Sequence, residues 1–375
     1  MHQKAYIFGF ILVAVLTVSI FATIKWLDPV YPDKEFFFGV EFAYSGEIND
    51  LKNLVDKVKN YTNLFVIGAV EISFDQSLLN ASCDYIFDAG LHFIVLFTDS
   101  RKYSYDTLLW IKNAKQKYGD KFLGVYRYDE PGGNQLDGGD SRIVENATDY
   151  TEAANRYIGN WNLHVSYYLN FSDKVFTADY ALYWFNYKAG YTSVFAEFGW
   201  NHSRPLHIGL CRGAAQAFNK DWGAIITWEY TEPPYIESGE ELFDDLILAY
   251  KTGAKYVVVF SYPKIGQYGI LTETHFNALQ TFSEYIRSNP QEHGVTRAEA
   301  AYVLPQNYGF GFRSSADKIW GLWDADALSP KVWADVNKLI AKYSPRLDIV
   351  YDDAETIDII KTRYNKLYFW NETLK

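Results

Sequence analysis

The chain is poor in cysteine, in methionine and in basic charge. Cys83 and Cys211 are its two cysteines in 375 residues, too few for a disulfide-stapled scaffold or a Cys-rich zinc site. The sequence leaves open whether they pair or stay as buried thiols. Lys and Arg number 35 against 46 Asp and Glu, a net charge of -11. Nucleic-acid binding draws on clustered cations, so DNA and RNA are excluded as main partners. The glycine-rich signatures that cradle phosphates are missing, which removes dinucleotide and P-loop readings. The seven histidines form no His-Glu-x-x-His, and no Gly-x-Ser-x-Gly elbow occurs. There is no repeat of solenoid period and no low-complexity tract. Pro131-Gly132-Gly133-Asn134 and Asp137-Gly138-Gly139-Asp140 offer oxygen ligands of the type calcium takes, but a mobile lid is the preferred reading there. No metal and no cofactor is expected.

What is present begins with a membrane signal. Ala5 to Ile24 is an uncharged run of 20 residues between Lys4 and Lys25, long enough to cross about 30 Å of hydrocarbon. Lys25-Trp26-Leu27-Asp28-Pro29 does not resemble a small-residue cleavage site, so an uncleaved single-pass anchor over residues 5–26 is expected, with a linker over 27–35. The remainder of the chain is then expected outside the cell. Six Asn-x-Ser/Thr sequons, at Asn60, Asn80, Asn146, Asn170, Asn201 and Asn371, agree with that side of the membrane and are expected to carry glycans.

Hydrophobic residues make up 49% of the chain and charged residues 22%, a composition that supplies a sizeable core. Short β-branched and aromatic runs alternate with helix-like stretches: residues 37–44, 64–72, 93–98, 122–128, 175–180, 193–199, 224–228 and 256–262. Tyr256-Val257-Val258-Val259-Phe260 is apolar throughout, as a parallel strand covered on both faces must be. Eight such units over residues 36–290 span 255 positions, close to the roughly 250 of a (β/α)8 TIM barrel. After Asn289-Pro290 a β-α-β-α-β pattern over residues 299–375 predicts a small α/β accessory layer.

A barrel of this type gathers its chemistry at the carboxyl ends of its strands. Glu41, Glu71, Asp99, Asp129, Glu130, Asp179, Glu197 and Glu229 fall at or just past successive strand ends. Polar strand ends are ordinary, but Glu197 and Glu229 lie inside apolar runs, where desolvation makes a carboxylate costly and raises its pKa. Two carboxyls of unlike environment are what glycosidic bond cleavage needs: one to protonate the leaving oxygen, one to attack or to activate water. Tyr128, Trp184, Trp200, Trp228 and Tyr262 are rim aromatics able to stack on sugar faces.

Gly124-Val125-Tyr126-Arg127-Tyr128-Asp129-Glu130-Pro131 resembles the fourth-strand motif of the clan of barrel glycosidases that includes cellulases and β-galactosidases. That resemblance implies an acid/base role for Glu130. The clan usually has Asn where Asp129 stands, so Asp129 is expected to tune or share the proton of Glu130, with Arg127 orienting it. The clan's nucleophile ends the seventh strand, which points to Glu229. Ala196-Glu197-Phe198-Gly199 is similar to a cellulase nucleophile segment, which points to Glu197, and the choice stays open. Glu41, Arg127, Asp129, Trp200, Trp228 and Tyr262 are the candidate substrate-binding set. Residues 299–375 resemble the flavodoxin-like layer that follows some β-galactosidase barrels. The expectation is a membrane-anchored external glycoside hydrolase, and the rival is a non-catalytic glycan-binding or envelope protein on the same fold.

Overall fold

A computed structural model describes residues 35–98, 102–138 and 142–374. The expected anchor, residues 5–26, and Asp99 lie outside the described residues. Among the described residues no helix is long and apolar enough to cross a membrane.

Eight parallel strands close into a barrel in chain order: β1 (Phe37–Phe42), β2 (Leu64–Ile67), β3 (His92–Phe97), β4 (Phe122–Arg127), β5 (Val175–Asp179), β6 (Ser193–Phe198), β7 (Asp221–Ile226) and β8 (Tyr256–Val259). Between them run α1 (Ile48–Val58), α2 (Val70–Phe74), α3 (Gln76–Asp88), α4 (Thr107–Tyr118), α5 (Pro131–Asp137), α6 (Tyr150–Leu169), α7 (Tyr183–Lys188), α8 (Arg204–Ala217) and α9 (Gly239–Thr252). The helix α10 (Glu273–Ser288) follows β8 and completes the barrel's outer layer. This is the expected (β/α)8 barrel. The stretch 131–137, read as a lid, is instead the helix α5, and no acid cluster among the described residues could hold a metal ion.

Side chains alternate between two cores. Phe37, Leu64, Val66, Ile94, Tyr126, Phe176, Phe195, Ile225, Tyr256 and Val258 fill the barrel, while Phe38, Val40, Phe65, Val95 and their counterparts face the helices. Aromatic rings do most of the filling: Phe37 stacks on Tyr256 at 5.4 Å and Phe176 on Phe195 at 5.8 Å. This plug closes the barrel below its upper rim, so no channel runs through it.

The C-terminal residues form a three-stranded parallel sheet, β9 (Ala300–Leu304), β10 (Leu347–Tyr351) and β11 (Lys366–Phe369), in the order β10-β9-β11, with α11 (Ser329–Tyr343) and α12 (Ile357–Arg363). The helix α8 serves both layers. Eleven of its residues are buried, and a Cβ on Gly209 or Gly213 would fall 2.7 or 2.8 Å from the carbonyl oxygens of Leu347 and Ile349. Glycine there lets a barrel helix lie directly on β10, as a helix packed on two sides requires. Cys83 and Cys211 are free and buried. Trp184 is packed inside this junction against Phe218 and Tyr351 rather than at the rim.

Candidate active site

The barrel's upper mouth holds a cavity of about 310 Å³. It is built by strand parity. In β1, β6 and β7 the inward set runs Phe37-Gly39-Glu41, Ser193-Phe195-Glu197 and Gly223-Ile225-Thr227, so the next inward positions above the plug are Glu41, Glu197 and Thr227. Gly68, Leu96, Tyr126 and Phe260 complete the floor. A larger cavity of about 880 Å³ lies at the other end, where Asp221, Trp222 and Lys255 begin their strands. Of its two acids, Asp221 is paired with Lys255 and Lys174, and Glu35 is exposed.

Asp129 and Glu130 enter the cavity from the loop after β4. Tyr128 and Glu130 both adopt left-handed backbone, at φ 57° and 49°, a conformation that costs a non-glycine residue free energy and persists only where its surroundings enforce it. Here the Glu130 amide donates to the Ala178 carbonyl at 3.0 Å, and Pro131 starts α5. Asp179 then clamps the helix start. It accepts from the Gly132 and Gly133 amides at 2.6 and 2.9 Å and from Asn186 at 2.6 Å. Glycine is required at both positions, since a Cβ would fall 2.5 Å from the Ala181 oxygen or 2.2 Å from the Tyr180 ring. Asp179 is thus a positioning residue beneath Glu130 and does not line the cavity.

The Glu130 and Glu197 carboxyls line the cavity together, and each bears on the other's proton. Burial, followed by the charges of Asp129 and Asp179, pushes Glu130 up to about 8. Burial, then Glu130, raises Glu197 well above the usual range, and its Oε2 has no partner. Burial and Asp129 push Glu41 up to about 8. Asp129 differs: surrounding protein raises it and the Tyr126 hydroxyl, donating to it, lowers it, but solvent reaches it through the mouth. Water access decides in favour of the anion, and that charge adds to the effect of burial in raising its neighbours.

The cavity's other wall is aromatic. The Trp200 amide donates to the Trp228 carbonyl at 2.6 Å and the Trp228 indole to the Tyr262 carbonyl at 2.6 Å. Trp200 meets Trp228 edge-on at 5.6 Å, and Trp228 lies parallel to Tyr262 at 6.0 Å. Trp200 and Tyr262 remain 37% and 46% exposed, so ring faces are left for a ligand.

Four expected residues stand elsewhere. Arg127 has the opposite parity to Tyr126; it is buried among the helices, donates to the Phe97 carbonyl at 2.7 Å and lies over the Tyr128 and Tyr168 rings. It cannot touch a ligand in the cavity. Glu229, three residues past β7, is turned outward by its amide bond to the Tyr235 carbonyl and accepts from Arg204 at 3.1 Å. Arg204 also holds Glu237 and Asp245. Glu71 is exposed on α2. Tyr128 packs on Trp161 and His164. Five of the six sequon asparagines are exposed, and Asn80 is half-buried with its amide oxygen accepting from the Trp110 indole at 2.8 Å. Sequence reading missed Tyr126, Gly68, Thr227 and Phe260; the two-residue alternation inside each strand was the signal for all but Gly68.

Glu41 has a proton-linked effect on stability. Its pKa is about 8 folded against an ordinary 4.5, so the stability it contributes is fully present below about pH 4.5 and is lost as pH rises through the folded value, at up to about 1.4 kcal/mol per pH unit. Glu41→Gln removes this dependence. Denaturant melts at pH 5 and pH 8 should show the variant gaining on the parent at the higher pH.

No known sequence family matches this chain, and no curated protein matches it in sequence. By shape it is similar to a crystal structure of beta-galactosidase from the psychrophilic Marinomonas ef1, at 10% identity and TM-score 0.53, over 85% of this chain and 70% of that one. It is also similar to a GH5_18 variant from Streptomyces cattleya in complex with Manb1-4GlcNAc, at 10% identity and TM-score 0.55, over 90% of this chain and 99% of that one. Both neighbours are glycoside hydrolases. At this identity the likeness establishes the barrel; the chemistry rests on the cavity itself.

Proposed function

We propose that this chain is a retaining glycoside hydrolase, with Glu130 as general acid/base and Glu197 as nucleophile. One observation carries the reading: two carboxyls from β4 and β6 meet in a cavity walled by Trp200, Trp228 and Tyr262. The direct interaction of the two carboxyls favours the short spacing of retaining enzymes, roughly 5–5.5 Å, over the about 6.5–9.5 Å that leaves room for an inverting water.

The chemistry follows from the two environments. The reaction needs Glu197 ionised and Glu130 protonated; the pair's interaction in the empty cavity favours the proton on Glu197, so substrate entering between them shifts it to Glu130, which faces the leaving oxygen. Glu197 attacks the anomeric carbon as Glu130 protonates the departing group, forming a glycosyl ester on Glu197. Glu130, now a carboxylate, takes a proton from water, and the resulting attack frees the sugar with its configuration retained. Asp129 keeps the Glu130 proton in place, while Glu41 and the aromatic wall hold the sugar. Residues 5–26 would anchor the enzyme in the membrane with its barrel outside, in line with the exposed sequons.

The coupled pair titrates as a unit, so the pH–rate profile is expected to be a bell. Its alkaline limb should fall as pH passes about 8, where Glu130 loses its proton. Initial rates on aryl glycosides between pH 4 and 10 test this; a rate still rising beyond pH 9 contradicts it.

A binding role is favoured by Asn201, exposed beside Trp200. A glycan there would crowd the mouth. Glycopeptide mass measurement decides: occupied Asn201 supports the non-catalytic reading, and a bare Asn201 supports hydrolysis.

A further inference from the structure

The cavity is lined by four carboxyls, Glu41, Asp129, Glu130 and Glu197, and among the described residues by no lysine, arginine or histidine. Hydrolysis employs two of the four. Glu41 is 6% exposed, and no hydrogen-bond donor or cation among the described residues reaches its carboxyl. The fold makes room for it: a Cβ on Gly68 would fall 2.0 Å from the Glu41 Oε1. Glu197, 4% exposed, likewise leaves Oε2 without a partner. Acids buried without internal partners raise the free energy of the empty site, and a ligand that supplies both donors and positive charge recovers it. Sugar hydroxyls supply donors but no positive charge. A divalent cation would supply charge, but no group of three or more acids among the described residues is arranged to hold one. A ring ammonium supplies both, with three N–H donors on one centre.

We infer that the substrate is a glycoside whose reacting ring carries a free amino group, its ammonium seated between Glu41 and Asp129, with the Glu41 proton released to water as the cation binds. This specificity rests on the hydrolase reading above. It sets the selectivity on both sides: an N-acetylated ring loses the charge, and a uronide brings a second anion beside Asp129.

The test compares kcat/KM of the full chain at pH 7 on nitrophenyl 2-amino-2-deoxy glycosides with the 2-acetamido, 2-hydroxy and uronide counterparts, in the gluco, galacto and manno series and both anomers. In at least one series the amine is expected to exceed its 2-hydroxy counterpart by about tenfold or more, with the uronide slowest. Glu41→Gln should bring that ratio close to one, and Asp129→Asn should lower it too. Thermal melts establish that the variants are folded. Preference for the acetamido or hydroxy substrate, or an undiminished amine preference in both variants, overturns the inference and leaves the hydrolase reading standing. If no glycoside is turned over, hydrolysis fails, and calorimetric titration of the unmodified chain with the free hexosamines and their N-acetyl forms decides the recognition. Tighter binding of the amine, lost in Glu41→Gln, upholds it, and equal or weaker binding overturns it.

Discussion

Glu130→Gln and Glu197→Gln are each expected to lower kcat/KM by about 10²- to 10⁴-fold, the range that a positioned proton-transfer group supplies, with the nucleophile variant at the lower end of residual activity. The two should differ in kind. A dinitrophenyl leaving group needs no proton, so Glu130→Gln retains fast cleavage of that bond and stalls afterwards, when no base activates water. Glu197→Gln stalls at the first step with every leaving group. Glu229→Gln is the informative control. Its carboxylate is bonded to Arg204 outside the cavity, so most of the activity should remain. Steady-state and burst kinetics on aryl glycosides of graded leaving-group acidity separate the three variants. A Glu229→Gln loss as large as that of Glu197→Gln would show that the wrong carboxylate has been assigned.

The second large effect lies at the junction of the two layers. Arg212 on α8 and Asp348 on β10 are 1% and 0% exposed and meet at 2.8 Å. Arg212 also donates to the Pro345 carbonyl at 2.7 Å, and the Tyr364 hydroxyl donates to the second Asp348 oxygen at 2.9 Å. Burial raises the Asp348 pKa and the attraction of Arg212 only partly opposes it. Desolvation therefore outweighs the pairing, as is common for buried ion pairs. Removing one partner strands a buried charge, so Asp348→Ala should cost about 3–5 kcal/mol. Replacing both, with Arg212→Met and Asp348→Leu, should restore most of that loss. Urea unfolding of the single and double variants measures both; an Asp348→Ala midpoint equal to that of the parent would show that the two layers do not depend on the pair.

The barrel was legible in the sequence because parallel strands covered on both faces must be apolar, and all eight runs are strands. Their ends were less so. Residues 68–72 read as a continuation of β2, but Gly68 stops the strand where Glu41 needs space, and α2 starts at Val70. The start of β7 at Asp221-Trp222-Gly223 was missed because a charge and a glycine look like a loop; the strand begins at the lower face, where Lys255 satisfies Asp221. For the site, Glu130, Asp129, Glu41 and the aromatic trio were readable from strand-end position. Arg127 was misplaced although parity with the core residue Tyr126 already put it outside. Glu229 could not be decided from sequence, because alternation ends with the strand and the loop's hydrogen bond to Tyr235 turns it away. The clamp by Asp179 on Gly132 and Gly133 joins residues 46 and 47 positions apart, a contact that only closure of the barrel creates.

On the proposed reading Glu197 is the nucleophile that works with Glu130. Slowing the second step traps the evidence: Glu130→Gln incubated with 2,4-dinitrophenyl glycosides should gain the mass of one sugar residue, and peptide mapping should place it on Glu197. A sugar carried by Glu229, or turnover by the unmodified chain that releases sugar of inverted configuration, would contradict the account.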